Sequence, residues 1–206
     1  MAAKDRPQIT LITPPAFALD SFPDTLARVM DRVDIACLRL SMASQDRDEL
    51  ARAADACRVI CHARDVAIVI ESHAILVAPH GLDGVHMRDG ARSVRSLRKD
   101  LGADAIIGAF CGVTRHDGMN AGEAGADYVA FGPVGEAGLG TGAQAGFDLF
   151  EWWSEMIEVP VIAEGALTEK LVETFGPVTD FFAIGSEIWS SDDATATLER
   201  LIAPIL

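Results

Sequence analysis

Charged and polar side chains follow short apolar runs at several points of this chain, and those positions are where chemistry is expected. Arg39 and Ser41 close one run, Glu71, Ser72 and His73 follow another, and His86, Arg88 and Asp89 a third. Two small-residue turns, Glu164-Gly165-Ala166 and Gly185-Ser186-Glu187, follow the last two runs. Backbone N–H groups in such turns can hold a phosphate, because small residues let an anion come close. The other reading is that Gly165 and Gly185 only permit tight turns, and Glu164 and Glu187 place negative charge where the anion would sit. Glu71, Asp89 and, as a further candidate, Glu136 are hard oxygen donors that suit Mg2+ or stand as solvated rim residues. His86 is either a general base or a hydrogen-bonded packing group. Arg39 ends an apolar run, and an inward guanidinium needs an anionic partner, which is either a ligand phosphate or a neighbouring glutamate.

The elements that must position these groups recur with one grammar. Apolar runs at 8–13, 33–40, 66–70, 83–87, 105–111, 126–132, 159–163 and 179–184 lack clean polar alternation, as expected of strands covered on both faces. Between them lie apolar stripes at helical spacing: Phe22, Leu26, Val29 and Val33; Leu50, Ala53, Ala54, Cys57 and Cys61; Leu149, Trp152, Trp153, Met156 and Ile157; Leu198, Leu201, Ile202 and Ile205. Strand then helix, repeated about eight times in 206 residues, predicts a compact (β/α)8 barrel spanning 1–206 as one domain, with a doubly wound open sheet as the alternative. In such a barrel the residues named above would share one mouth, at the C-terminal ends of the strands.

Composition narrows the function. The formal charge of −14 disfavours nucleic acid and anionic membrane as partners. The one basic cluster, Arg92, Arg95, Arg98 and Lys99, reads as a solvated helix face. No apolar leader occupies residues 1–7 and no membrane-length apolar stretch follows, so the expected setting is cytoplasmic. Four cysteines without a paired C-x-x-C pattern read as reduced, buried thiols. Residues 135–146 carry five glycines in twelve residues without a Walker lysine, and form either a lid over the mouth or a flexible surface loop. Core packing is the expectation for Trp152, Trp153 and Trp189, with a homo-oligomer contact as the other option.

The motifs Asp83-Gly84-Val85-His86-Met87, residues 125–133, Ile106-Ile107-Gly108 and residues 160–167 together resemble the thiamine phosphate synthase/TenI family. Asp83-Gly84-Val85-His86-Met87 is similar to that family's D-G-V-H-L, residues 125–133 to its G-A-D-Y-x-x-x-G-P, and Ile106-Ile107-Gly108 to its I-I-G. Residues 160–167 are similar to its P-I-V-A-I-G-G-I, and Leu38-Arg39 sits where it has L-R. The resemblance implies a single-domain (β/α)8 barrel that couples a pyrimidine methyl diphosphate to a thiazole phosphate with Mg2+. A phosphorylated small molecule would then sit against Gly165, Ala166, Gly185 and Ser186, with Gly132 and Glu164 beside it and Arg39 on the anion. Tyr128 through Gly132 would form the wall beneath, and Glu71 and Asp89 would hold the metal from shifted positions. The family's strand-five serine maps to Phe110 or Cys111, which adds Cys111 to Arg39 and His86 as catalytic candidates. Departures are concentrated around the diphosphate: Q-L-R-E-K reads Cys37-Leu38-Arg39-Leu40-Ser41, N-D reads Glu71-Ser72, the acidic residue of H-L-G-Q-x-D falls at Ala91, and the loop after strand six, where the family has T-x-T-K, contains no lysine. Rival readings are a thiazole tautomerase-like or other phospho-heterocycle or phosphosugar enzyme on the same barrel, and a non-catalytic binder of such phosphates.

Overall fold

The structure is a computed structural model that describes residues 6–136 and 142–206. Eight parallel strands close into a barrel in chain order: β1 (Gln8–Ile12), β2 (Cys37–Leu40), β3 (Ala67–Glu71), β4 (Gly84–Met87), β5 (Ile106–Phe110), β6 (Tyr128–Phe131), β7 (Val161–Glu164) and β8 (Phe181–Ile184), with β8 paired back onto β1. Around it run α1 (Phe22–Met30), α2 (Arg47–His62), α3 (Val77–His80), α4 (Val94–Leu101), α5 (Arg115–Ala124), α6 (Phe147–Met156), α7 (Glu169–Phe175), α8 (Ser186–Trp189) and α9 (Ala194–Ile202). The open-sheet alternative is thereby excluded. No helix among the described residues is long and apolar enough to cross a membrane.

Alternation along each strand divides the core into two layers. Leu11, Leu38, Ile70, Val85, Ile107, Val129, Phe131, Ala163 and Ile184 face outward into the main cluster under the helices. The inward set includes Ile12, Phe110, Tyr128, Ala130, Ile162, Phe181 and Ala183, which form a smaller cluster inside the barrel. Cys57 and Cys61 are buried on α2 as free thiols, and Trp153 is buried with its indole N–H on the Val159 carbonyl at 2.8 Å.

At the pole opposite the mouth, three aspartates repeat one device. Asp83, Asp127 and Asp180 each precede an even-numbered strand, donate a backbone N–H to the strand before, and accept the N–H of the same residue through a carboxylate oxygen. The pairs are Asp83 with Ile68, Asp127 with Ile107 and Asp180 with Val161, and the carboxylate contacts measure 2.7, 2.7 and 2.8 Å. This two-point clamp fixes strand register where the backbone would otherwise leave N–H groups unpaired.

Three sequence expectations need correction. The second run was expected over 33–40, but only Cys37–Leu40 pairs; Val33 instead closes α1 through its N–H to the Val29 carbonyl, and Val33 and Ile35 pack as a buried connection. On α6, Phe150 takes the inward place expected of Met156, which is 64% exposed. Arg98 is no solvated basic residue: it donates to the carbonyls of Gly102, Ala103, Ala105 and Gly125 and pairs with Asp127 at 2.5 Å, tying the end of α4 to the clamp. The candidate lid, 135–146, falls partly outside the described residues.

Asp127→Ala leaves the Ile107 N–H and the Arg98 guanidinium without their acceptor, and urea denaturation should show a loss of about 1–3 kcal/mol. An unchanged midpoint would remove the clamp from the account of register.

Candidate active site

Arg39 lies inside the barrel on β2 and is 3% exposed. A guanidinium so placed must be matched by acceptors. Its Nη2 donates to Glu164 Oε2 at the end of β7, at 2.8 Å, and its Nη1 donates to His86 Nε2 on β4, at 2.7 Å. Glu71 Oε2, at the end of β3, stands 4.0 Å from Nε, which has no hydrogen-bond partner among the described residues. Of the two partners open to Arg39 from sequence, the mouth glutamate is paired with it in this structure. Burial works against the charge, but Glu164, Tyr128 and Glu71 around it hold the Arg39 pKa above its ordinary value.

The arginine fixes the chemistry of its neighbour. A guanidinium can only donate, so Nε2 of His86 accepts and Nδ1 carries the proton. Nδ1 lies 3.0 Å from the Tyr128 hydroxyl, which accepts it, and the two rings stack 5.7 Å apart at 17°. Burial first, and then the charges of Arg39 and Arg88, push the His86 pKa well below its ordinary value, so the imidazole is neutral. Burial above all pushes the Tyr128 phenol upward. With both ring nitrogens engaged, His86 could accept a substrate proton only by giving up one of these bonds.

Barrel register makes this contact reachable. Glu71, His86, Gly108 and Tyr128 are successive partners across β3, β4, β5 and β6. Gly108 therefore stands between the histidine and the tyrosine, and a Cβ there would lie 2.0 Å from Tyr128 Cζ. The tyrosine ring fills the place that a side chain on β5 would occupy.

Above this group, a cavity of about 240 Å³ opens at the rim among Thr13, Ser41, Glu164, Gly165, Ser186 and Glu187. The Ser41 N–H donates to Thr13 Oγ1 at 3.0 Å, which joins the loops after β1 and β2. Gly165 and Ala166 both have positive φ, at 89° and 54°. For alanine that conformation costs about 1–2 kcal/mol and persists only where the surroundings impose it. The Glu187 carboxylate crosses this turn, accepting the Leu167 N–H at 3.1 Å and the Gly185 N–H at 2.9 Å. A larger groove, about 1030 Å³, runs outside the barrel between α1 and α9 and contains none of the Arg39 group.

The remaining candidates are distributed differently. Cys111 is buried, its thiol directed at the Ala109 carbonyl at 3.5 Å and pushed up to about 12 by burial, then by Asp117, and among the described residues its hydrogen bond is to that carbonyl and not to Arg39. Gly132 packs against β7, where an added Cβ would sit 2.4 Å from the Glu164 carbonyl oxygen. Glu71 faces two cations, Arg39 at 4.0 Å and the exposed Arg88 at 3.5 Å, while Asp89 is exposed and accepts the Ser93 hydroxyl at 2.7 Å. Among the described residues no group of three or more His, Cys, Asp or Glu could hold a metal. A carboxylate facing two guanidinium groups is a poor seat for a resident Mg2+, so these residues do not fit the ion that the resemblance implies. Sequence reasoning missed the Tyr128–His86 bond and the double acceptance by Glu187; the sole signals were a tyrosine in an apolar run and a glutamate directly after the Gly185-Ser186 turn.

The sequence profile described as thiamine monophosphate synthase matches residues 9–186. The chain belongs to that family. A thiamine-phosphate synthase of Rhodospirillum centenum is 38% identical over 187 residues, covering 89% of each chain, and one of Erythrobacter litoralis is 34% identical over 205 residues, covering 95% of each. Among solved structures, thiamine phosphate pyrophosphorylase from Pyrococcus furiosus superposes with a TM-score of 0.81 over 97% of this chain and 96% of that one; at 17% identity this likeness concerns the fold.

Because His86 is held neutral, its folded-state pKa lies below the ordinary value of about 6.5. The stability this confers is fully present above about pH 6.5 and is lost as pH falls, since the unfolded chain then binds a proton the folded one refuses. Urea denaturation of wild type and His86→Gln at pH 7.5 and 5.0 should show the gap between them shrinking at the lower pH, by at most about 2 kcal/mol over that interval. A constant gap would mean that His86 titrates in the fold as it does in water.

Proposed function

We propose that this protein is a thiamine phosphate synthase of the cytoplasm, coupling a pyrimidine methyl diphosphate to a thiazole phosphate. Membership of the family across residues 9–186 carries the reading, and the geometry of the mouth supports it. In the coupling, the bond between the methylene carbon and the diphosphate oxygen breaks, and the thiazole nitrogen supplies the electron pair that makes the new carbon–nitrogen bond. The diphosphate leaves with the electrons of the broken bond, and positive charge passes through the methylene to the thiazolium product.

This chain's residues divide that charge. Glu164 borders the cavity and keeps a carboxylate, shared with Arg39, beside the carbon centre and the thiazolium that become positive. Arg39 acts as a positioning residue, holding Glu164 and His86 in place, and Arg88 stands at the rim beside Glu71 where a departing anion can reach it. The thiazole phosphate lies against Gly165, Ala166, Gly185 and Ser186. Ile12 and Ala183 line the same cavity and exclude water from one side of the heterocycle.

Purified protein given both substrates and Mg2+ should form thiamine phosphate, measured by oxidation to its fluorescent thiochrome. Arg39→Lys keeps a charge but loses the fork that reaches Glu164 and His86 together, and kcat/KM should fall about 100-fold with the fold retained by circular dichroism. Absence of thiamine phosphate at any protein concentration would refute the reading.

A further inference from the structure

The strand-seven and strand-eight turns already hold an anion, and it is the protein's own. Glu187 spans them with one carboxylate, Oε1 on the Leu167 N–H at 3.1 Å and Oε2 on the Gly185 N–H at 2.9 Å. The donors belong to residues 20 and 2 positions away, in different loops, and the O–C–O bite of the carboxylate meets them much as two oxygens of a phosphate would. Leu167 and Gly185 are buried, whereas Glu187 is half-buried and borders the 240 Å³ cavity together with Gly165 and Ser186. The carboxylate therefore has solvent to move into and the amides do not. Among the described residues the cavity wall carries one further charged group, Glu164, whose carboxylate is engaged by the buried Arg39 at 2.8 Å, so Glu187 is the carboxylate there that is held by backbone amides.

We propose that Glu187 is a specificity-determining residue, an internal competitor that a phosphate-bearing heterocycle must displace from the Leu167 and Gly185 amides, and that it lowers the preference of the site for phosphorylated over dephosphorylated substrate. The proposal rests on the mouth being the seat of the phosphorylated substrate. A phosphate brought to this seat meets a like charge and finds two donors taken, so part of its binding is spent on moving Glu187. The corresponding alcohol carries no such charge and gains little from the amides. Removing the carboxylate thus benefits the phosphate ester alone.

Isothermal titration calorimetry with the thiazole phosphate and with the same thiazole as its free alcohol, on wild type, Glu187→Gln and Glu187→Ala, tests this. Both variants should bind the phosphate ester about tenfold tighter or more, with the alcohol unchanged within about twofold, so that the ratio of the two affinities rises. Glu187→Gln keeps an oxygen acceptor and most of the side-chain volume, which guards against a variant that fails to fold; thermal melts of all three proteins check this. An unchanged affinity for the phosphate ester would overturn the proposal, and so would parallel weakening of both ligands, the mark of a purely structural cap. Coupling activity in wild type with no change in the ratio would refute the role of Glu187 and leave the synthase reading standing. A raised ratio in a chain that never couples the two substrates would uphold Glu187 and refute the synthase.

Discussion

A guanidinium inside a protein barrel is tolerable only if its charge and its N–H groups are met, and much of the interior of this molecule follows from meeting those of Arg39. Desolvating an ion costs several kcal/mol even after relaxation, and one partner on one side does not return it. Glu164 supplies the opposite charge and His86 supplies a neutral acceptor. That second choice propagates. A histidine that accepts from arginine must be neutral and must carry its proton on the far nitrogen, so it needs a further acceptor, and Tyr128 is there. Tyr128 reaches it only because β5 has no side chain at Gly108. Four strands are thus committed to the surroundings of one charge.

The same arrangement explains how an acidic chain keeps a workable mouth. Glu71 and Glu164 would repel each other and any anionic substrate if left alone, but Arg39 lies between them and Arg88 approaches Glu71 from the rim. The result is a floor of paired charges beneath a small cavity, with anion-binding amides at one side that are capped by Glu187. The residues that depart from the pattern the sequence resembles, among them Ser41, Glu71, Ser72 and Ala91, lie at strand ends and in the loops that follow, whereas the motifs kept, including Leu38-Arg39, Gly108, His86, Tyr128 and Gly132, build the floor and wall.

The barrel was legible in sequence because its physics is local. Continuous apolar runs mark strands covered on both faces, and helical stripes such as Leu50 to Cys61 mark what covers them. The limits appear where an apolar residue serves something other than its nearest element: Val33 closes a helix, and Met156 yields its inward place to Phe150. Arg39 was legible as a buried charge in want of an anion, but not which anion, since Glu164 lies 125 positions along the chain. The Tyr128–His86 contact depends on the register with which β4, β5 and β6 pair, and no local period carries that number. Glu187 was legible as a charge beside the small-residue turns after β7 and β8, yet its two hydrogen bonds depend on how two loops approach each other. Arg98 shows the same limit from the other side, a residue of solvated type whose partners are carbonyls brought together by α4, β5 and β6.

The central claim, that Arg39 and Glu164 form a coupled pair on which the interior depends, is tested most directly by a double-mutant cycle on folding stability. Arg39→Met and Glu164→Gln should each destabilise by about 3–5 kcal/mol in urea, because each leaves a buried partner unmatched. The double variant should fall short of the sum by about 2–3 kcal/mol, since removing both charges leaves neither stranded. Additivity within about 0.5 kcal/mol would show that the two side chains act independently, and the account of the interior built on their pairing would be wrong.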